Sequence, residues 1–247
     1  AYTSADAVTT TSSEVAYWAP SHPYYWPKSS ESYINFVAWY DAKGTVPSTS
    51  TETSLVFSNY TVLTTDNLLY ADEAWRYQDN SGAQYKKDGS VSEGVPMLFH
   101  HALAQLCINA KVTKADDGNN TSWDVTLSDI SLSNVYNQGT LSLTNSDPSS
   151  KQTKEWTGSW ATSGTAQTVT MSDVTTALTT TATDVLTMQN VLPQAVTDDM
   201  ILKFDYNISY KYNSSEYAHE KITAEIELSD FTSAVSSWDM NNKITYA

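Results

Sequence analysis

Residues 95–112, VPMLFHHALAQLCINAKV, contain the clearest structural signal in this chain of 247 residues. From Ala104 onward the stretch alternates with a period of two, so that apolar residues fall on one side and more polar residues on the other. Successive side chains of a β-strand point to opposite faces. The pattern therefore predicts a half-buried strand, with Leu106 and Ile108 facing a core and Cys107 facing outward.

Alternation of the same kind recurs later in the chain. Residues 202–212 and 222–228 each alternate with a period of two around a polar turn at residues 213–216, which predicts a β-hairpin. Residues 33–40 and 54–63, rich in aromatic and branched side chains, predict two further strands.

The apolar positions between Trp123 and Leu132 change parity partway along. A shift by one residue is typical of a β-bulge, which we expect near Ser128 or Asp129. Apolar residues do not recur every three to four positions over any long stretch, as they would in an amphipathic helix. Short helical turns are therefore expected only in residues 67–75 and 184–190.

The length accommodates two β-sandwiches, each with its own core. Residues 114–120, KADDGNN, form a turn-rich segment with almost no apolar side chain. We place a domain boundary there. The sequence thus predicts an all-β fold of two tandem antiparallel β-sandwich domains, residues 1–115 and residues 116–247.

Composition excludes several classes of function. The formal net charge is −15, with only 13 Lys and Arg residues, which disfavours nucleic acid and anionic membranes as partners. The sequence has no apolar run long enough for a transmembrane helix. No signal peptide begins at Ala1, so we expect either a mature, processed chain or a cytosolic one. Cys107 is the single cysteine and cannot form an intrachain disulfide.

His100 and His101 are the first candidates for catalysis or metal binding. Adjacent residues of a strand point to opposite faces, so these two rings are not expected to converge on one ligand. His22 and His219 lie far away in sequence, and no GxSxG nucleophile motif is present.

Pairs of acidic residues are the second candidates, because glycoside hydrolases use two facing carboxylates. The pairs lie in turns or on the outer face of a regular strand, where acidic residues are common; they are Asp116 with Asp117, Asp198 with Asp199, and Glu225 with Glu227. The sequence therefore predicts no catalytic residue, no cofactor and no metal site.

A cluster of aromatic residues near the start of the chain has two interpretations. Trp18, Tyr24, Tyr25 and Trp26 lie close to three prolines. They can close the open end of the first sandwich, or they can form an exposed platform that stacks against sugar rings. The second interpretation makes the protein a glycan-binding adhesin.

Five blocks of the chain, taken in order, resemble the Bacteroidota fimbrillin family, whose members build surface fimbriae. The segment from Val95 to Gln105 is similar to its most recognisable motif. The other blocks are YWP at residues 24–27 followed by YINFVAWY at 33–40, NLLYA at 67–71, VLPQ at 191–194, and Trp238 with the closing segment NKITY at 242–246.

The resemblance implies a transthyretin-like Greek-key topology for each domain and a structural, non-enzymatic role. It also implies export as a precursor with a lipid anchor, and a place on the cell surface, either attached to the outer membrane or extracellular. The partners it implies are other fimbrial subunits, together with a host or bacterial surface glycan or protein. The rival functions are a glycan-binding tip adhesin and a carbohydrate-active accessory module.

The ends of the chain suggest how such subunits would join. Fimbrillin relatives assemble when a strand from one subunit fills a groove in the next, which is a form of β-augmentation. Residues 1–13 form a Thr-rich arm, and the last residues form a short strand that ends with the chain. We therefore expect the polymerisation segment at the C-terminus; it comprises Asn242, Lys243, Ile244, Thr245 and Tyr246.

Overall fold

The computed structural model describes residues 33–77, 97–113, 116, 120–145, 155–172, 175–213, 215–231 and 235–247. These residues form strands joined by turns, with one 3₁₀ turn at Leu228–Asp230 and no α-helix among them, so the prediction of an all-β fold is confirmed. In chain order the strands are β1 (Tyr33–Phe36), β2 (Trp39–Asp41), β3 (Thr49–Ser50), β4 (Ser54–Thr61), β5 (Leu68–Ala71), β6 (Ala74–Tyr77), β7 (Phe99–His101), β8 (Ala104–Ala110), β9 (Thr121–Val135), β10 (Gln138–Thr144), β11 (Thr157–Ser163), β12 (Gln167–Ser172), β13 (Thr176–Leu178), β14 (Thr183–Val191), β15 (Gln194–Ala195), β16 (Ile201–Tyr212), β17 (Ser215–Glu227), β18 (Ser237–Trp238) and β19 (Lys243–Tyr246).

None of the helical residues in the described ranges forms a segment of the length and hydropathy that crossing a lipid bilayer requires.

Two hydrophobic clusters each join a pair of sheets, and we call the resulting units sandwich A and sandwich B. Sandwich A combines the sheet β11-β10-β4-β3 with the sheet β2-β5-β7. Sandwich B combines the sheet β12-β9-β16-β17, to which β13 adds through β9, with the sheet β14-β8-β19. Burial of apolar side chains between facing sheets is the main source of stability in such layers.

The chain passes between the two sandwiches more than once. It builds β2 to β5 and β7 in sandwich A, β8 and β9 in sandwich B, β10 and β11 in sandwich A again, and then the remaining strands of sandwich B. The links are short, at residues 102–103, 136–137 and 164–166. Each cluster therefore contains residues from both sides of the boundary predicted between residues 115 and 116, and that boundary does not coincide with the division between the clusters.

Long-range strand pairing explains this arrangement. Strand β10 pairs antiparallel with β4, some eighty positions earlier in the chain, and also with β11. The turn-rich segment at residues 114–120 links β8 to β9, and both strands contribute to the same cluster. A polar turn marks a change of chain direction, which is not always a change of domain.

The predicted hairpin and bulge are confirmed. Strands β16 and β17 pair antiparallel along their whole length, from Ile201 opposite Glu227 to Tyr212 opposite Ser215. The register of β16 against β9 shifts between Lys203 and Asp205, and Asp129 has a φ of 54°. The extra residue of the bulge moves the following side chains to the other face, which produces the change of parity in the sequence.

Three local predictions are wrong. The short helical turns expected in residues 67–75 and 184–190 are strands, because β5 pairs with β2 and β7, and β14 pairs with β8. Two register shifts in β14 interrupt the alternation of its side chains, so its sequence does not show the period of two that is typical of a strand. The single strand expected in residues 33–40 is divided into β1 and β2, which belong to different sheets.

The prediction that Cys107 faces outward from β8 is also wrong. Its side chain is buried, as are those of Leu106 and Ile108 on either side. Between Leu186 and Gln189 the register of β14 shifts, and Met188, with a φ of 29°, brings its backbone nitrogen within 3.4 Å of Cys107 Sγ. The irregular part of β14 thus lies against a face that alternation alone assigns to solvent.

Candidate functional site

The predicted polymerisation segment lies at one edge of sandwich B. Strand β19 pairs with β8, placing Ile244 beside Leu106 and Tyr246 beside Ile108. This pairing is parallel, whereas the other strand pairs in the described part of the chain are antiparallel. The segment therefore completes a sheet of its own chain, with β8 on one side and no described strand on the other.

Alternate side chains of β19 enter the core. Ile244 and Tyr246 are buried, while Lys243 and Thr245 are exposed. Tyr246 is 1% exposed, and its hydroxyl accepts a hydrogen bond of 3.0 Å from the indole Nε1 of Trp238. The Phe231 ring meets the Tyr246 ring edge to face at 5.0 Å. Burial raises the pKa of Tyr246 above its usual value, since the phenolate would lose its hydration.

The turn before β19 is attached to the strand that β19 joins. Asn241 adopts a φ of 62° and its backbone nitrogen donates to the Leu103 carbonyl at 3.2 Å. The Asn242 carbonyl accepts from the backbone nitrogen of Gln105 at 2.9 Å. The segment is thus held by backbone hydrogen bonds at its start and by two buried side chains along its length.

The two adjacent histidines have separate partners. His100 Nε2 lies 2.9 Å from Asp72 Oδ1, and the ring packs 5.5 Å from that of Tyr70. His101 Nδ1 lies 3.2 Å from Asn67 Oδ1 and is exposed. The structure does not bring them together on one ligand. His22 and the side chain of His219 lie outside the described residues.

The acidic pairs form no facing carboxylates in the described part of the chain. Asp117 is not among the described residues, and Asp116 forms an isolated bridge with Ser122. Asp199 accepts a hydrogen bond of 2.6 Å from the Thr197 hydroxyl beside the exposed Asp198.

Glu225 and Glu227 lie on the solvent side of β17, where Glu225 forms an ion pair of 2.9 Å with Lys203. Within the described ranges, no three His, Cys, Asp or Glu side chains gather as a metal site would require. The aromatic platform proposed from Trp18, Tyr24, Tyr25 and Trp26 lies outside the described residues.

The sequence did not reveal a set of buried acidic residues in and around sandwich A. They are Asp41, Asp66, Asp72 and Glu73. Asp41 accepts hydrogen bonds from the Tyr60 hydroxyl at 2.8 Å and from the backbone nitrogen of Thr45 at 2.9 Å. Burial alone would raise the pKa of Asp41, but the hydrogen bonds from Thr45 and Tyr60 outweigh it and hold that pKa below its usual value.

Lys43 joins this set from the rim. Its Nζ lies 2.6 Å from Asp66 Oδ2 and 4.1 Å from the centre of the Tyr60 ring, and it also donates to the Thr61 carbonyl. Asp66 also accepts from the backbone nitrogen of Leu63 at 2.6 Å. The donors around Asp41 and Asp66 indicate that these carboxylates fix the adjoining loops. Acidic residues placed directly beside strand segments, as Asp41 follows Trp39 and Tyr40, are the only sequence signal of this network.

Comparison with known proteins identifies the family of this chain. The family model described as fimbrillin-like matches residues 1–247. No curated protein matches the sequence significantly.

Proposed function

Because the chain belongs to the fimbrillin-like family, we propose that it is a structural, non-enzymatic subunit of a bacterial surface fimbria that assembles by strand donation. The observation that supports the proposal best is the C-terminal strand β19, an edge strand whose Ile244 and Tyr246 fill a slot in a sandwich core. An edge strand with one buried and one exposed face has the form that β-augmentation uses.

The proposed exchange replaces contacts within one chain by the same contacts between two chains. A β19 that leaves its own β8 and pairs with the β8 of a neighbour recovers the same backbone hydrogen bonds and the same buried side chains. When each subunit donates β19 to one neighbour and accepts it from another, rather than exchanging strands within a pair, the contact is head-to-tail and extends into a filament. The gain for the filament lies in the added subunit contacts, and the cost of opening one monomer is recovered in the next.

Electron microscopy of the purified chain is the first test. We expect filaments for the intact chain and none for a chain lacking residues 242–247. Filaments of normal length from the shortened chain would contradict strand donation by β19.

Because the deletion also removes buried side chains, a second experiment separates assembly from folding. A synthetic peptide of residues 239–247 is added to the shortened chain, and we expect it to raise the midpoint of thermal unfolding. The matched control peptide carries Ile244→Lys and Tyr246→Lys and should have no effect, whereas a peptide with Thr245→Ser should act like the original. Equal effects of all three peptides would contradict the insertion of β19 in trans.

The remaining parts of the proposal rest on the family alone. They are export as a lipid-anchored precursor, attachment to the outer membrane or release into the fimbrium, assembly with other fimbrial subunits, and adhesion to a surface glycan or protein. Mass spectrometry of the native N-terminus tests the anchor, and a glycan array tests the adhesion.

A further inference from the structure

The free edges of the described sheets differ in how well they are protected against pairing with another strand. An edge strand exposes unpaired backbone groups, and proteins usually shorten it, bend it or place charges on it. Strands β2, β3, β7 and β19 are edges of two to four residues, and β14 carries two register shifts. The longest edge, β17, carries charges along its length; they are Glu216, Glu220, Lys221, Glu225 and Glu227.

Strand β11, the outer strand of sandwich A, has none of these protections. Its seven residues, Thr157–Ser163, pair with β10 in an unbroken register and include no charged residue and no proline. Apart from the half-buried Trp160 and Ser163 they are exposed. No backbone hydrogen bond joins the outer edge of β11 to another segment in the part of the chain that the structure describes.

The strands on and beside β11 carry no charge, and the exposed Glu155 lies two residues before β11 begins. Residues 130–145 and 156–172, which include β10, β11 and β12, contain no Asp, Glu, Lys or Arg. The chain as a whole has a net charge of −15, so two copies repel each other over most of their surfaces. A second copy meets the least repulsion where both surfaces are neutral.

We propose that β11 pairs antiparallel with β11 of a second copy of this chain, which joins two four-stranded sheets across a two-fold axis. The contact is isologous, because the same strand serves on both sides. It does not depend on β19, and it therefore adds a lateral contact that is distinct from the proposed strand donation along a filament.

The geometry of β11 suits such a contact. Trp160 is held in place by a hydrogen bond of 2.7 Å from its indole Nε1 to the Ala102 carbonyl, so little side-chain freedom is lost on docking. A Cβ atom on Gly158 would lie 1.9 Å from the Ser142 carbonyl oxygen, and the glycine therefore permits the close approach of β11 to β10. Along β11, Ser159 and Ala161 alternate with Gly158 and Trp160, and both are exposed.

Analytical ultracentrifugation of the full chain tests the proposal. We expect a monomer–dimer equilibrium whose Kd decreases as salt rises from 0.05 to about 1 M, because the Debye length falls to about 3 Å and the repulsion between acidic copies is screened. The variant Ser159→Lys/Ala161→Lys places like charges opposite each other and should raise the Kd at least about tenfold. Mixing it with Ser159→Glu/Ala161→Glu should restore dimers.

The control is Ser215→Lys/Ser229→Lys, which makes the same change of charge at and beside β17, an edge strand of sandwich B. It should leave the dimer intact. A chain that stays monomeric at both salt concentrations, or equal losses in the β11 and β17 variants, would overturn the proposal.

Hydrogen exchange of the unmodified chain provides an independent measurement if the lysine variants do not fold. Backbone amides of residues 157–163 should exchange more slowly at concentrations where the dimer forms. Dimers without this protection would show that another surface is used.

Discussion

The two sandwiches are built on different balances of apolar and polar burial. Sandwich B encloses an almost wholly apolar cluster to which the edge strand β19 contributes. Inside it, Trp238 and Tyr246 are joined by a hydrogen bond. Sandwich A encloses a smaller cluster, and buried acidic residues such as Asp41 and Asp66 lie beside it, paired with Tyr60 and Lys43. The stability of B should therefore depend on volume and shape, and that of A should depend also on pH.

The two sandwiches are also linked, because the chain passes between them. Three links cross between them, and at one of them the Gln194 side chain bonds both backbone groups of Tyr136, donating to the carbonyl at 2.8 Å and accepting from the nitrogen at 3.0 Å. Although their chemistry differs, we expect the two units to unfold together.

Tyr246→Ala should have the largest effect. It removes a fully buried ring from sandwich B and leaves the indole Nε1 of Trp238 without its acceptor, at a cost of about 3–5 kcal/mol in the free energy of unfolding. Tyr246→Phe keeps the ring and should cost only about 1–3 kcal/mol, for the lost hydrogen bond. Urea denaturation of the two variants measures the difference, and equal costs would show that the ring is not tightly packed.

Core truncation in each sandwich tests whether the two unfold together. Leu106 in B and Leu141 in A are at most 1% exposed, and replacement of either by Ala should cost about 2–5 kcal/mol. Far-ultraviolet circular dichroism and tryptophan fluorescence should report one coincident transition in each variant. Two separate transitions would mean that the links do not couple the sandwiches.

Asp41→Asn should weaken sandwich A in a manner that depends on pH. Its pKa is lowered in the folded state, so the carboxylate stabilises the fold above about pH 4 and loses that contribution as the pH falls through the folded-state pKa. We expect a loss of about 1–2 kcal/mol at pH 7, from weaker hydrogen bonds to Tyr60 and Thr45, and a progressively smaller loss as the pH falls below about 4 and through the folded-state pKa of Asp41. A difference that stays constant between pH 7 and pH 2 would contradict the role of the charge.

Lys203→Gln should have the smallest effect. Its ion pair with Glu225 joins two side chains that are about half exposed, at 45% and 55%, and solvent screens such pairs strongly. The urea midpoint should not change measurably. A clear loss of stability would show that the charges on the outer face of sandwich B act as a network.

The sequence by itself determined much of this protein. The period of two in residues 104–112 and 202–228 identified β8 and the β16–β17 hairpin, because a strand with one core face imposes that period on its side chains. The change of parity near Asp129 identified the bulge for the same reason. The resemblance of five blocks to fimbrillins identified the family, although it gave only an expectation for the role of residues 242–246.

Only the tertiary structure decided which strands became neighbours. Pairing of β10 with β4, and of β19 with β8, joins residues far apart in the chain, and alternation within a strand does not encode its partner. The same holds for Cys107, which an irregular neighbouring strand buries, and for the acidic residues Asp41 and Asp66, whose donors come from other segments. Local patterns fix which face of a strand is apolar, while the cover on the other face comes from residues distant in sequence, and only the folded chain brings them there.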